Sequence, residues 1–203
     1  MIRFVGTLIG LLVVLGVTAA AQAQEGAEKL RIGAGMVLDF AGRVEYDPPG
    51  NGNSYDDKAR VTPGLRVHLD YDVHRYVSVG GLLRFGWWRA DELDDGRNML
   101  IDVAARVNAH YDWHDFRFFA ALALGPSFDR LNDDNRAGID NPGIGVAASF
   151  APGVEWWITR RVGLFAELFG WSGHFITHDT IADRNLKLRL NQVQLQLGAV
   201  FSL

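Results

Sequence analysis

Large apolar residues recur at every second position along eight segments of this chain, and the eight apolar faces contain no Asp, Glu, Lys, Arg or His. A period of two belongs to extended strands, whose successive side chains point to opposite sides; a helix would repeat near 3.6. In residues 30–42, Leu30, Ile32, Ala34, Met36, Leu38 and Phe40 oppose Arg31, Gly33, Gly35 and Asp39. In residues 60–71, Val61, Leu65, Val67, Leu69 and Tyr71 oppose Arg60, Thr62, Arg66, His68 and Asp70. Val79, Leu83, Phe85 and Trp87 then oppose Arg84, and Ile101, Val103 and Val107 oppose Asp102, Arg106 and His110. Residues 116–124, 144–156 and 162–169 repeat the pattern, with Arg117, Phe119, Glu155, Phe165, Glu167 and Phe169 off the clean faces. In the last segment Val193, Leu195, Leu197, Ala199, Phe201 and Leu203 oppose Gln192, Gln194 and Gln196. Just upstream, Leu186, Leu188 and Leu190 take the other parity, so a β-bulge is expected near Asn191–Gln192.

A water-exposed face has no reason to be free of charge. A face in hydrocarbon does, because a Lys or Arg at the bilayer midplane costs about 2–4 kcal/mol. The pattern therefore predicts an all-β fold: an eight-stranded, antiparallel, up-and-down transmembrane barrel. The connections agree. Those at 71–76, 111–116 and 156–161 are short, whereas those at 45–58, 90–97, 129–142 and 173–185 are long and polar. Tyr71, Tyr76, Tyr111, Trp113, Phe116 and Trp156 gather at the short-turn rim. Trp87, Trp88, Phe128 and Trp171 gather at the other, giving two aromatic girdles.

The N-terminus sets the expected compartment. Basic Arg3, an apolar run from Phe4 to Val17 and the small-residue site Ala21-Gln22-Ala23 form a secretory signal peptide, residues 1–23, which leaves 24–203 as the barrel. There is no cysteine, so an exported chain must be stable without disulfides. Twenty basic residues against 24 acidic ones, with no basic stripe, exclude nucleic acid as a partner.

With strand number, rim asymmetry, girdles and terminal strand in view, the chain resembles the small Gram-negative outer-membrane barrels, the group of the OmpA membrane domain, OmpX and OmpW. The resemblance spans nearly all of 24–203. It implies short turns in the periplasm, long loops outside, and a location in the cell outer membrane after signal cleavage. It implies outer-membrane lipids, lipopolysaccharide and the barrel assembly machinery as partners, a monomer, and no cofactor. It also makes the alternating residues Val193, Leu195, Leu197, Ala199, Phe201 and Leu203 an assembly signal. With Leu203 last, the chain is expected to lack the peptidoglycan-binding domain of longer OmpA-type proteins.

The expected lumen holds a polar network of Arg31, Asp39, Arg66, His68, Asp70, Arg84, Asp102, Arg106, Arg117, Glu155 and Glu167, joined by Arg60, His110 and the three glutamines. Charges shut in so narrow a bore must pair or keep water. The inferred function is a non-enzymatic envelope protein with a plugged lumen and a structural or surface-interaction role; a narrow channel for small polar solutes is the alternative. A soluble lipocalin-type barrel is a further alternative, opposed by the glycine-rich polar face, which suits a cramped interior. A lipid A-modifying enzyme is another, for which Ser172, His174, His178 and Asp179 are the candidates; they are expected in a solvated external loop. The acidic pairs Asp56-Asp57, Asp91-Glu92, Asp94-Asp95 and Asp133-Asp134 could offer oxygens to a divalent cation, but no metal site is expected from their spacing.

Overall fold

Nine strands form one antiparallel sheet that closes on itself in a computed structural model describing residues 30–47, 55–88, 98–130, 142–179 and 185–203. They are β1 (Leu30–Asp47), β2 (Tyr55–Ala59), β3 (Thr62–His74), β4 (Val77–Trp88), β5 (Asn98–Trp113), β6 (Phe116–Arg130), β7 (Gly143–Trp157), β8 (Val162–Asp179) and β9 (Asn185–Ser202). Each pairs with its neighbour in sequence from β3 onward, and β9 returns to β1 through fifteen rungs from Arg31↔Ser202 to Asp47↔Lys187. β2 and β3 lie end to end along β1, so the nine strands make eight staves. The break falls at residues 60–61, just before Pro63, where Arg60 and Val61 are both exposed. Arg60 is therefore outside the lumen, contrary to expectation.

The alternation is realised as predicted through most of the wall. Met36, Leu65, Val107, Leu122, Leu124 and Leu197 are all at least 48% exposed and point outward. Their sequence neighbours Arg66, Arg106, Ala121, Ala123 and Gln196 are buried inside. At the short-turn rim, Trp113, Phe116 and Trp156 stack outside across three strands, with ring centroids 6.5 and 6.4 Å apart. The bore is tight enough to need glycine in places. A Cβ on Gly33 would meet the His68 ring at 2.2 Å, and one on Gly153 would meet the Phe119 ring at 2.4 Å.

Two features differ from the sequence-based expectation, and both concern β8 and β9. First, β9 runs without a bulge. Leu188 and Leu190 are buried on the same inward parity as Gln192, Gln194 and Gln196, while Lys187 and Arg189 point out. The change in sequence pattern marks a change of surroundings along β9, and the register shift at this height falls on its partner β1, which carries one residue more between Phe40 and Arg43. Near the long-connection end the wall turns inside out: Val44, Ala59, Trp88, Leu100, Ile176, Leu188 and Leu190 form an apolar cluster within the bore. Arg43, Glu45, Asp56, Lys58 and Arg189 lie on the outside there. An interior apolar core with a charged exterior is what water outside dictates; a polar interior with an apolar exterior is what hydrocarbon dictates. β1, β8 and β9 have 18 residues each, against the ~9–11 that a tilted strand needs to cross a bilayer, so they continue well past the apolar belt.

Second, a further bulge sits in β8. Gln196 and Gln194 pair with Glu167 and Gly170, so β8 carries one residue more than β9 between these rungs. Leu168 and Phe169 both face outward, at 44% and 77% exposure, and Phe169 takes φ 52°, the left-handed region. Phe169 is thus outside the lumen, whereas it was expected inside. Beyond it the parity is reversed, and Ser172, His174, Ile176 and His178 point in. The stretch expected to be a solvated loop at 173–185 is mostly strand.

The expected signal peptide and the pairs Asp91-Glu92, Asp94-Asp95 and Asp133-Asp134 lie outside the described residues. Asp56 and Asp57 belong to β2, where Asp56 pairs with Arg43.

Candidate functional site

The bore is filled in tiers, each built by inward positions of facing strands. At the short-turn mouth, Arg31 of β1 reaches Asp72 at 2.6 Å and donates to Ser78 Oγ at 3.3 Å; its Nε lies 3.8 Å from Glu155 of β7. Arg117 of β6 joins Asp72 at 3.2 Å and Asp112 at 2.5 Å. Below this tier the mouth widens into an open vestibule of about 450 Å³ between the β5–β6 and β7–β8 turns.

The middle tier centres on Glu167. It takes Arg66 at 2.6 Å on one oxygen and Arg106 at 2.9 Å on the other, bridging β3 and β5 from β8. Arg106 also faces Asp70 at 3.4 Å and Asn108 at 3.1 Å, and Asn108 donates to Asp70 at 2.7 Å. Phe119 lies beneath the Arg106 guanidinium, 5.7 Å from ring centroid to carbon, and His68 meets the Phe165 ring edge-on. Each carboxylate oxygen of Glu167 is thereby ion-paired with a different arginine, and that mutual attraction offsets part of the cost of holding such charges out of water.

In the next tier Arg84 pairs with Asp39 and stands 3.6 Å from Asp102. Asp102 in turn accepts from Ser127 at 2.6 Å and contacts His174 Nε2 at 3.0 Å. Above, Asp129 accepts from the Trp88 indole at 2.9 Å and contacts His178 Nε2 at 3.1 Å. The apolar cluster around Leu100 and Leu190 then covers the bore. A void of about 10 Å³ lies beside the Arg84 tier, lined partly by Ala104, Ala123 and Ala147, with room for about one water.

Of the lumen residues expected from the sequence, Arg31, Asp39, Arg66, His68, Asp70, Arg84, Asp102, Arg106, Glu155 and Glu167 are buried, Arg117 is half-buried at the mouth, and Arg60 and Phe169 are outside. Ser172, His174 and His178, expected in a solvated loop, are buried members of the same network, as are Ser127 and Asp129, which sequence reasoning missed. The available signal was the spacing Ser172-x-His174-x-x-x-His178, a single parity with period two, which continues through Ile176. Ser172 and His174 turn to Asp39 and Asp102 respectively.

No protein-family model matches the chain, and no curated protein is similar to it. Solved structures are. Outer membrane protein OprG from Pseudomonas aeruginosa superposes with a TM-score of 0.58 at 10% identity, over 87% of this chain and 96% of that one. Neisserial surface protein A superposes with a TM-score of 0.51 at 12% identity, over 88% of this chain and all of that one. The fold is that of the small eight-stranded outer-membrane barrels. At these identities the likeness is one of fold. Within that fold, Val193, Leu195, Leu197, Ala199, Phe201 and Leu203 all point away from the bore, from half-buried to 67% exposed. Among the described residues, no group of three or more His, Asp or Glu side chains could hold a metal ion.

Proposed function

We propose that this chain is exported by its N-terminal signal and resides in the outer membrane as a monomeric, plugged barrel with a structural or surface-interaction role and no catalysis. The observation that carries this is the filled bore: three tiers of paired charges on Asp72, Glu167 and Asp102, closed by a fourth around Asp129 and an apolar cover. A solute path would have to break several desolvated ion pairs at once, each a costly event. The belt of outward Leu, Val and Phe supports the membrane location, because that much apolar surface is not left to water. Against catalysis, Ser172 and His174 are 1% exposed and lie within the bore, where neither reaches a lipid at the wall's outer surface. The outward residues of β9 serve as the assembly address in this reading.

Planar-bilayer recording tests it. The unmodified protein is expected to give no steady large conductance, and Arg66→Ala or Glu167→Ala to increase brief openings. A wide, stable current from the unmodified chain would favour the channel instead.

A further inference from the structure

The vestibule at the short-turn mouth takes no part in the filled bore. Its walls are two turns: β5–β6, with Asp112, His114 and Asp115, and β7–β8, with Trp157, Thr159 and Arg160. Hydrogen bonds within the chain fix both. Trp157 N donates to Asp115 O at 2.8 Å and ties one turn to the other. Ile158 N and Thr159 N both donate to Val162 O at 3.0 Å. Thr159 Oγ1 accepts from Arg161 N at 3.2 Å and from Val162 N at 3.0 Å. His114 takes φ 55°, which glycine would hold without strain, so a side chain is kept there at a cost.

Charge in the vestibule is balanced, but not all of it is paired. Arg31 pairs with Asp72, and Arg117 with Asp72 and Asp112. Asp115 and Arg160 line the same opening from opposite turns, yet pair with no charged side chain among the described residues. Arg31, Arg117 and Arg160 thus stand against Asp72, Asp112 and Asp115. A ligand with net charge gains little from such a field. One that both donates and accepts hydrogen bonds can use the free carboxylate and the free guanidinium together.

The remaining wall is aromatic. Trp157 lies against Gly163, its cross-strand partner, where a Cβ would come within 3.3 Å of the indole. It is half-buried, next in sequence to the outward Trp156, and lines the vestibule. An indole on this side of the wall touches neither lipid nor the apolar cover of the bore.

We propose that the vestibule binds a saccharide of one or two hexopyranose rings. A pyranose has an apolar C–H face, which stacks on Trp157, and a rim of hydroxyls that donate and accept. Asp115 accepts from hydroxyls on one side, and the Arg160 fork donates to oxygens on the other. The volume, about 450 Å³, and the aromatic wall with few convergent polar groups are those of a small-ligand cleft.

The test uses the full chain after signal removal, refolded in detergent, with binding measured by isothermal titration calorimetry. The probes are cellobiose and chitobiose, which share ring and linkage; the one that binds tells a plain hexose from an N-acetylated amino sugar. At least one is expected to bind. Asp115→Asn combined with Arg160→Gln is expected to weaken that binding about tenfold, the effect of losing charge-assisted hydrogen bonds. Trp157→Ala should weaken it at least as much. Asp115 and Arg160 are exposed, so the paired variant should fold as the parent does, checked by heat-modifiable gel mobility. Binding of neither sugar, or equal binding by the paired variant, overturns the site. Binding of the zwitterion alanyl-alanine in place of either sugar overturns the saccharide assignment. None of these readouts depends on which way the barrel faces or on whether its bore conducts.

Discussion

Glu167 Oε1 and Oε2 are each claimed by a different arginine, Arg106 at 2.9 Å and Arg66 at 2.6 Å, so one β8 carboxylate ties together three strands across the bore. Both arginines and the glutamate are at most 2% exposed. Their net worth relative to an apolar core is small, but removing one partner strands the others without water. Glu167→Gln is therefore expected to destabilise the barrel by about 3–5 kcal/mol, read as a lower urea midpoint in lipid vesicles. A midpoint within error of the parent would mean that the three charges are not held dry.

A single cation should have opposite consequences on the two faces of β9. Leu197 is 56% exposed on the apolar belt, and Leu197→Lys is expected to cost about 2–4 kcal/mol. Gln194 is buried, lies across from Asp39 and lines the small void, so Gln194→Lys has a carboxylate and some space. The folded fraction in membranes, measured by heat-modifiable mobility, should fall for the first variant and fall much less for the second. Equal loss would refute the assigned facing of this strand.

The cysteine-free chain permits a scan of the inverted region. Arg189→Cys and Asn191→Cys should react with a water-soluble maleimide in the folded protein. Leu188→Cys and Leu190→Cys should not, since the native leucines are at most 3% exposed within the bore. A reactive Leu190→Cys beside a protected Asn191→Cys would restore the bulge that the sequence pattern suggests.

The β8 bulge makes its own prediction. Phe169 sits at φ 52°, where glycine is at ease and a β-branched residue is not. Phe169→Val should lower stability by at least about 1 kcal/mol, while Phe169→Gly should come close to the parent, because strain relief offsets lost lipid contact. If valine is the better tolerated of the two, the left-handed conformation is wrong.

The outer cover should matter as a hydrophobic core does. Leu100 is fully buried among Val44, Trp88 and Leu190, so Leu100→Ala is expected to cost about 2–5 kcal/mol by equilibrium unfolding. Leu195→Ala, on the lipid side, leaves no closed cavity and should cost less. Similar losses at the two sites would argue against a packed cover.

Periodicity alone determined the barrel, its apolar belt and most of its lumen. Residues such as Arg66, Arg106, Asp102 and Glu167 alternate with outward apolar neighbours over whole strands, and a period of two admits one assignment once the outside is hydrocarbon. What only the tertiary structure decided lies where that premise fails. At Leu188 and Leu190 the leucines face inward because water replaces lipid outside; β9 keeps its own alternation there, and the extra residue sits on its partner β1, between Phe40 and Arg43. At Leu168–Phe169 the register itself shifts while both residues remain apolar, so the sequence carries no mark of it. A change of solvent and a β-bulge leave the same trace in a hydrophobicity pattern. Only the pairing of each strand with its neighbours separates them, and that pairing is what brings His174 to Asp102 and His178 to Asp129.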